Sequence, residues 1–189
     1  MQVLDLALGV VWLVFWAYWF ITAALTRSPF KRTQSCSRLL LFTIISVLAL
    51  AILVEELPQG ILVRDVLPGG AATMLVGLPI TILGLGVAVW ARVHLGRNWT
   101  SRPGIKVGHT LIRTGPYRFV RNPIYTGLLI GYTGTAIVIG TLWALFLILF
   151  VLGASLLKIR EEERLLLEEF GEDYEQYRRE VRALIPYIL

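Results

Sequence analysis

Long apolar stretches alternate with short polar ones along the 189 residues. Apolar runs cover 3–25, 39–56 and 71–95, and a fourth extends from 124 to 157. A membrane-crossing helix takes about 20 apolar residues, so the last run is too long for one span and predicts two. Gly140 and Thr141 supply the tight turn between them, giving spans at 124–139 and 141–157. The pattern predicts an all-α integral membrane protein with five transmembrane helices, forming one domain over 1–189.

The fifth helix is expected to outlast its apolar part. Residues 141–170 are helix-compatible throughout, about 45 Å at 1.5 Å per residue. The final third, KIREEERLLLEEF, is densely charged, and nine of the 13 acidic residues lie beyond Lys158. Gly171 has the character of a C-cap. Beyond it Tyr174, Tyr177, Val181 and Leu184 recur at helical spacing, which predicts a short amphipathic helix closed by Pro186.

Composition supports the same class. Hydrophobic residues make up 56% of the chain and mean hydropathy is +0.69, against about 45–50% apolar in soluble domains. Charge placement orients the spans. Of 18 Lys and Arg residues, four lie in 27–38, seven in 92–121 and six in 158–182. Cationic loops stay on the cytoplasmic side, so the amino terminus is expected outside and the C-terminal tail in the cytoplasm. An odd number of spans agrees with this. The short loops and small size are those expected of a bacterial or archaeal cytoplasmic membrane protein. The net charge of +5 gathers at membrane edges and gives no reason to expect nucleic acid. The first run has Asp5 and no basic start, so it is read as a retained helix. A lone Cys36 excludes an internal disulfide and offers no metal-site spacing.

Small residues mark the helix contacts. Gly84 and Gly86 have no strand before them and no third glycine after, so they are read as packing positions rather than a dinucleotide loop. Gly127 and Gly131 form a GxxxG pair expected to seat the fourth span against a neighbour. Pro79 lies within the third span, where it removes a backbone donor.

Two polar regions face the cytoplasm in this reading, 97–125 and 158–189. The stretch 113–127, RTGPYRFVRNPIYTG, sets rigid Gly-Pro and Asn-Pro pairs among cations at a bilayer edge. Asn122 fits a helix N-cap before Pro123, and such an N-terminus also offers amides to an anionic ligand group. Glu161, Glu162 and Glu163 fit a solvated charged face, and His109 an ordinary loop histidine. Nothing here forms a nucleophile triad, and physics alone gives a membrane protein with a polar pocket and no named reaction.

The sequence HTLIRTGPYRFVRNPIYTG at 109–127, followed by KIREEERLLLEEFGEDYEQYRREVRALIP at 158–186, resembles the isoprenylcysteine carboxyl methyltransferases and their bacterial relatives. The shared pattern is a His-x-Leu loop, Gly-x-Tyr, Arg-His-Pro-x-Tyr, a double Glu, Phe-Gly-x-x-Tyr-x-x-Tyr and Ile-Pro. It covers about two fifths of the chain. The resemblance implies a membrane methyltransferase that uses S-adenosylmethionine without a Rossmann domain. It places His109, Thr110, Leu111, Ile112, Tyr117, Asn122, Pro123, Ile124, Tyr125 and Glu162 around the cofactor. It assigns Lys158 and Glu162 catalytic roles, with Lys158 facing the acceptor. Two positions depart from the family, which has His where Asn122 stands and Arg where Lys158 stands. Asn keeps hydrogen-bonding capacity without titrating, and Lys keeps charge without the planar fork.

The implied acceptor is lipid-borne or hydrophobic, taken from the membrane, and a carboxylate as in isoprenylcysteine O-methylation. Alternatives are an amine acceptor, as in phospholipid N-methylation, an NADPH-dependent sterol-reductase-like oxidoreductase, whose terminal Ile-Pro-Tyr is similar, and a non-catalytic scaffold.

Overall fold

The computed structural model describes residues 2–26, 30–33, 64–100 and 104–186. Among the described residues five α-helices carry the fold: α1 (Gln2–Leu25), α2 (Ala71–Leu95), α3 (Pro123–Ile139), α4 (Leu142–Phe170) and α5 (Glu172–Glu180). Three stretches among the described residues are long and apolar enough to cross a membrane: Leu6–Leu25, Ala71–Asn98 and Leu142–Phe170. Helix α3 is apolar but 17 residues long, about 25 Å at 1.5 Å per residue. The expected span at 39–56, and Cys36, lie outside the described residues. The chain is an integral membrane protein, mostly helical.

Helices α2 and α3 pack antiparallel along a seam with almost no side chain in it. A Cβ on Gly84 would fall 2.3 Å from the Gly131 nitrogen, and one on Gly77 would fall 2.5 Å from the Gly134 oxygen. From the other side, a Cβ on Gly127 would meet the Ala88 nitrogen at 2.5 Å. Close approach of this kind lets backbones make van der Waals contact where lipid removes any hydrophobic drive between helices. The GxxxG expectation holds, and so does the packing role of Gly84. Gly86 has open space around it. Inside the seam the Thr81 hydroxyl donates to the Gly77 carbonyl at 3.0 Å. The Trp12 indole donates to the Thr135 hydroxyl at 3.0 Å, which ties α1 to α3. Phe15 of α1 packs against Leu85 and Ala88, while Leu6, Leu13 and Ile21 are exposed.

At one end of the α2–α3 pair, the Val66 amide donates to Gly140 O at 2.7 Å. Gly140 takes the left-handed conformation (φ 70°) that the tight turn requires. The other end carries the loops. There the structure departs from all-α: β1 (Phe30–Thr33) pairs antiparallel with β2 (Gly104–Lys106). Strands of four and three residues are too short to give a readable alternation.

The tail also departs from expectation. Helix α5 begins after Gly171 (φ 52°), as the C-cap reading has it, but ends at Glu180. Val181 is extended, and Val120 and Arg182 form a parallel bridge. The Arg121 and Asn122 amides donate to Arg182 O and Ala183 O at 2.8 and 3.0 Å, and the Thr126 hydroxyl reaches Leu184 O at 2.7 Å. A helix start leaves backbone donors without internal partners. Here the tail carbonyls take the donors flanking α3, and Leu184 is fully buried beneath it.

Candidate functional site

A cavity of about 490 Å3 opens where the loop 109–125 meets α1, α4 and α5. Ten of the residues singled out from sequence stand on its wall: His109, Thr110, Leu111, Ile112, Tyr117, Asn122, Ile124, Tyr125, Lys158 and Glu162. Pro123 does not. It is fully buried as the first residue of α3, where fixed φ suits the first helical turn.

Each part is held by an identifiable contact. The Tyr125 phenol donates to a Glu162 carboxylate oxygen at 2.9 Å, joining the first turn of α3 to α4. Lys158, one turn before Glu162, places its ammonium 5.8 Å from the centre of the Tyr125 ring. Asn98 and Thr110 clasp each other: the Asn98 amide donates to the Thr110 hydroxyl at 2.9 Å, and the Thr110 backbone amide donates back at 3.2 Å. That pair fixes the strip 109–112. Asn122 does not cap α3 with its side chain. Its amide nitrogen donates instead to Ala183 O at 3.3 Å, on the tail.

Behind this wall a charged brace connects three elements. Arg121 donates through Nε and Nη2 to one oxygen of Glu163, at 2.9 and 2.7 Å. Its Nη1 donates to the Arg178 carbonyl at 3.2 Å and also to the Val181 carbonyl. Tyr177 donates to Tyr117 O at 2.5 Å, while Tyr117 donates to Ala91 O at 3.4 Å. Burial, with Glu162 and then Tyr177 adding to it, pushes the Tyr117 phenol far above its ordinary value. Burial raises Tyr174 and Tyr177 likewise. None of these phenols is a base at any working pH; Tyr117 and Tyr177 serve as hydrogen-bond donors.

His109 lies against the Phe170 ring at 5.8 Å. Its Nδ1 is buried without a hydrogen-bond partner among the described residues. Burial lowers its pKa, Lys106 lowers it further, and Glu169 opposes both. The imidazole is neutral near pH 7, with one ring nitrogen free for a guest.

The remaining wall is aromatic. Phe15, Trp16, Trp19 and Phe20 of α1 line it, with Trp99 set edge-on to Trp19 at 5.7 Å. Sequence reasoning assigned none of these to the site, nor Asn98, Arg121, Tyr174 and Tyr177. The crowding of rings in WLVFWAYWF, at 12–20, was the available signal. Volume, an apolar lining and a few converging polar groups are those of a small-molecule site, where about 300–1,000 Å3 is usual. No group of three or more His, Cys, Asp or Glu side chains with metal-binding geometry occurs among the described residues.

Fold and cavity together define a helical membrane protein with a binding site framed by the loops between its spans. The phospholipid methyltransferase family model matches residues 72–173, more than half of the chain and most of this frame. The chain belongs to that family. It is 34% identical over 116 residues to a probable protein-S-isoprenylcysteine O-methyltransferase of Oryza sativa subsp. indica, covering 60% of this chain and 61% of the relative. The protein-S-isoprenylcysteine O-methyltransferase of Schizosaccharomyces pombe is 38% identical over 81 residues, 42% of this chain and 34% of that one. The methanethiol S-methyltransferase of Mycobacterium tuberculosis is 34% identical over 95 residues, 47% and 35% of the two chains. The chain thus spans about three fifths of the rice relative's length and about a third of the other two. The fold is that of the eukaryotic intramembrane Ras methyltransferase, isoprenylcysteine carboxyl methyltransferase. That match has a TM-score of 0.54 at 23% identity, over 82% of this chain and 55% of that one.

Proposed function

We propose that the protein is a membrane methyltransferase that takes its methyl group from S-adenosylmethionine and passes it to a lipid-borne or hydrophobic acceptor, with a carboxylate as the receiving group. One observation carries this reading. The residues of the methyltransferase-like motifs line a single cavity, joined by the Tyr125–Glu162 hydrogen bond, and that cavity is also walled by the aromatic face of α1.

The residues present fit the cofactor. Neutral His109 offers an unpaired buried nitrogen, the strip 109–112 offers backbone edges, and Glu162 offers carboxyl oxygens to a cationic ligand. S-adenosylmethionine supplies, when bound, a methyl group activated by a sulfonium leaving group. The protein's part is to position and to exclude water. Asn98 holds Thr110 and so orients the 109–112 strip; Tyr125 orients Glu162. Lys158 holds the anionic acceptor group on the cavity side of α4. A terminal carboxylate, with a pKa of about 3.3–3.7, is already ionised. It needs no base, so Asn122 serves where the related proteins have histidine. An amine or thiol acceptor must first lose a proton, and Glu162 is the group placed to take it.

In this reading 1–189 acts as one domain whose cationic loops and C-terminal tail face the cytoplasm of a bacterial or archaeal membrane. The aromatic wall then admits the acceptor from the bilayer, and lipids are its neighbours. Titration calorimetry of the purified protein with S-adenosylmethionine and, separately, with NADPH tests the cofactor. Binding of S-adenosylmethionine alone, weakened by Glu162→Gln, is expected. Binding of NADPH instead, or undiminished S-adenosylmethionine binding by Glu162→Gln, overturns the reading. Transfer of labelled methyl into lipid extracts then identifies the acceptor, and equal rates with a water-soluble, lipid-free acceptor refute a membrane source.

A further inference from the structure

We propose that a second site, a groove of about 290 Å3 between the last turns of α1 and α2, binds the phosphate headgroup of an anionic membrane lipid. It is separate from the cavity described above, and it rests on charge that no carboxylate among the described residues pairs with.

Arg92 lines the groove and is 4% exposed. Its guanidinium donates to Thr22 O at 3.3 Å, to the Thr26 hydroxyl at 2.9 Å and to Gly96 O at 3.5 Å. Every partner is a neutral oxygen, and Nε has none among the described residues. Lys106, also 4% exposed, sits just behind and donates to Thr26 O at 3.1 Å and Arg97 O at 3.0 Å. Arg97 stands exposed on the groove wall. No ion pair among the described residues involves any of these three cations; the ion-paired carboxylates there, Glu163, Glu168 and Glu175, serve Arg121, Arg164, Arg178 and Arg179.

The helix ends do not balance the cluster. Each carries roughly half a negative charge at its carbonyl terminus, so two ends offset about one of three positive charges. Uncompensated buried charge is costly, and an anion in the groove removes that cost. The setting selects a lipid over a free ion. Leu25 and Val93 flank the cations and are 79% and 64% exposed, so apolar surface for an acyl chain adjoins the charge. Basic pockets between membrane helices are suited to anionic headgroups in this way. The Arg92 guanidinium also stacks 3.7 Å from the centre of the Trp99 ring, whose indole lines the main cavity.

Native mass spectrometry of the full chain in detergent, titrated with phosphatidylglycerol or phosphatidylcholine, tests this. One phosphatidylglycerol per chain is expected to be retained in preference to phosphatidylcholine. Arg97→Gln is expected to weaken retention about fivefold, and Arg97→Glu more. The Arg97 side chain makes no hydrogen bond among the described residues, so these variants are expected to keep the fold; Arg92→Gln is the stronger but riskier change. Equal retention of the two lipids, or phosphatidylglycerol retention by Arg97→Glu matching the wild type, overturns the proposal. Displacement of the lipid by millimolar inorganic phosphate also overturns it, since that marks a free-anion site.

Discussion

The Tyr125 phenol and the Glu162 carboxylate meet at 2.9 Å across 37 residues of chain, and they link α3 to α4 inside the cavity. A hydrogen bond to a charged group contributes about 1.5–3 kcal/mol. Tyr125→Phe is expected to weaken S-adenosylmethionine binding several-fold, and Glu162→Gln by about tenfold or more. Because the two residues act through one contact, the double variant should lose less than the sum of both. A calorimetric double-mutant cycle checks this, with a coupling of about 0.5–3 kcal/mol expected. Strict additivity would mean that the pair does not work as a unit.

The glycine seam makes a contrast between two neighbouring positions. Gly84→Ala drives a Cβ to 2.3 Å from the Gly131 nitrogen, so the helices must separate. Overpacking of this kind costs about 1–3 kcal/mol. Gly86→Ala meets nothing within 4 Å and removes a helix-weakening glycine, for a gain of up to about 1 kcal/mol. Thermal unfolding in detergent should therefore move in opposite directions for the two variants.

His109 gives the stability a pH dependence of known sign. Its folded pKa is held below the ordinary 6.5 by burial first and by Lys106 second. Between those two values the unfolded chain binds the proton and the folded chain does not. Stability is therefore full above about 6.5 and declines as pH falls toward the depressed value, by at most about 1.4 kcal/mol per pH unit. Unfolding curves at pH 7.5 and 5.5 should converge on replacing His109 by Gln. An unchanged gap in that variant assigns the dependence to another group.

Arg121 is the brace most open to attack by mutation. Its side chain and that of Glu163 are 10% and 16% exposed, and Nη1 also holds the carbonyls of Arg178 and Val181. Removing one partner of such a buried pair costs about 3–5 kcal/mol. Arg121→Ala should release α5 and the tail, seen as faster hydrogen exchange at Tyr174 and Tyr177. Arg121→Lys should rescue only part, since a single ammonium cannot serve the same fork of acceptors.

How much of this could be read from residues differs by element. The apolar periods of α1, α2 and α4, the turn at Gly140, the end of α4 at Gly171 and the seat of Gly127 and Gly131 were all legible, because each follows from local composition. The tail was not. Tyr174 and Tyr177 lie on a helix as their spacing predicts, but Val181 and Leu184 continue that spacing on extended chain. There the unpaired donors at the start of α3 capture the backbone, and no local preference encodes a partner sixty residues away. The β1–β2 pair was missed for a similar reason. At the cavity, the residues of the two motifs were named from resemblance, while the α1 aromatics and Asn98 belong to no motif. The α1 rings take their place from how α1 leans on Leu85 and Ala88, and Asn98 from its clasp with Thr110.

The clasp between the tail and α3 has a bearing on when the cavity can exist at all. Asn122 waits for Ala183, 61 positions later in the chain. At a synthesis rate of about 5–20 residues per second, that delay is roughly 3–12 s. Throughout it the loop with the methyltransferase-like motif is already made and lodged beside its helices, yet its backbone donors face water or lipid headgroups. A nascent chain therefore holds the recognisable half of the site without the means to keep it in shape. Competence to bind follows only when the tail docks.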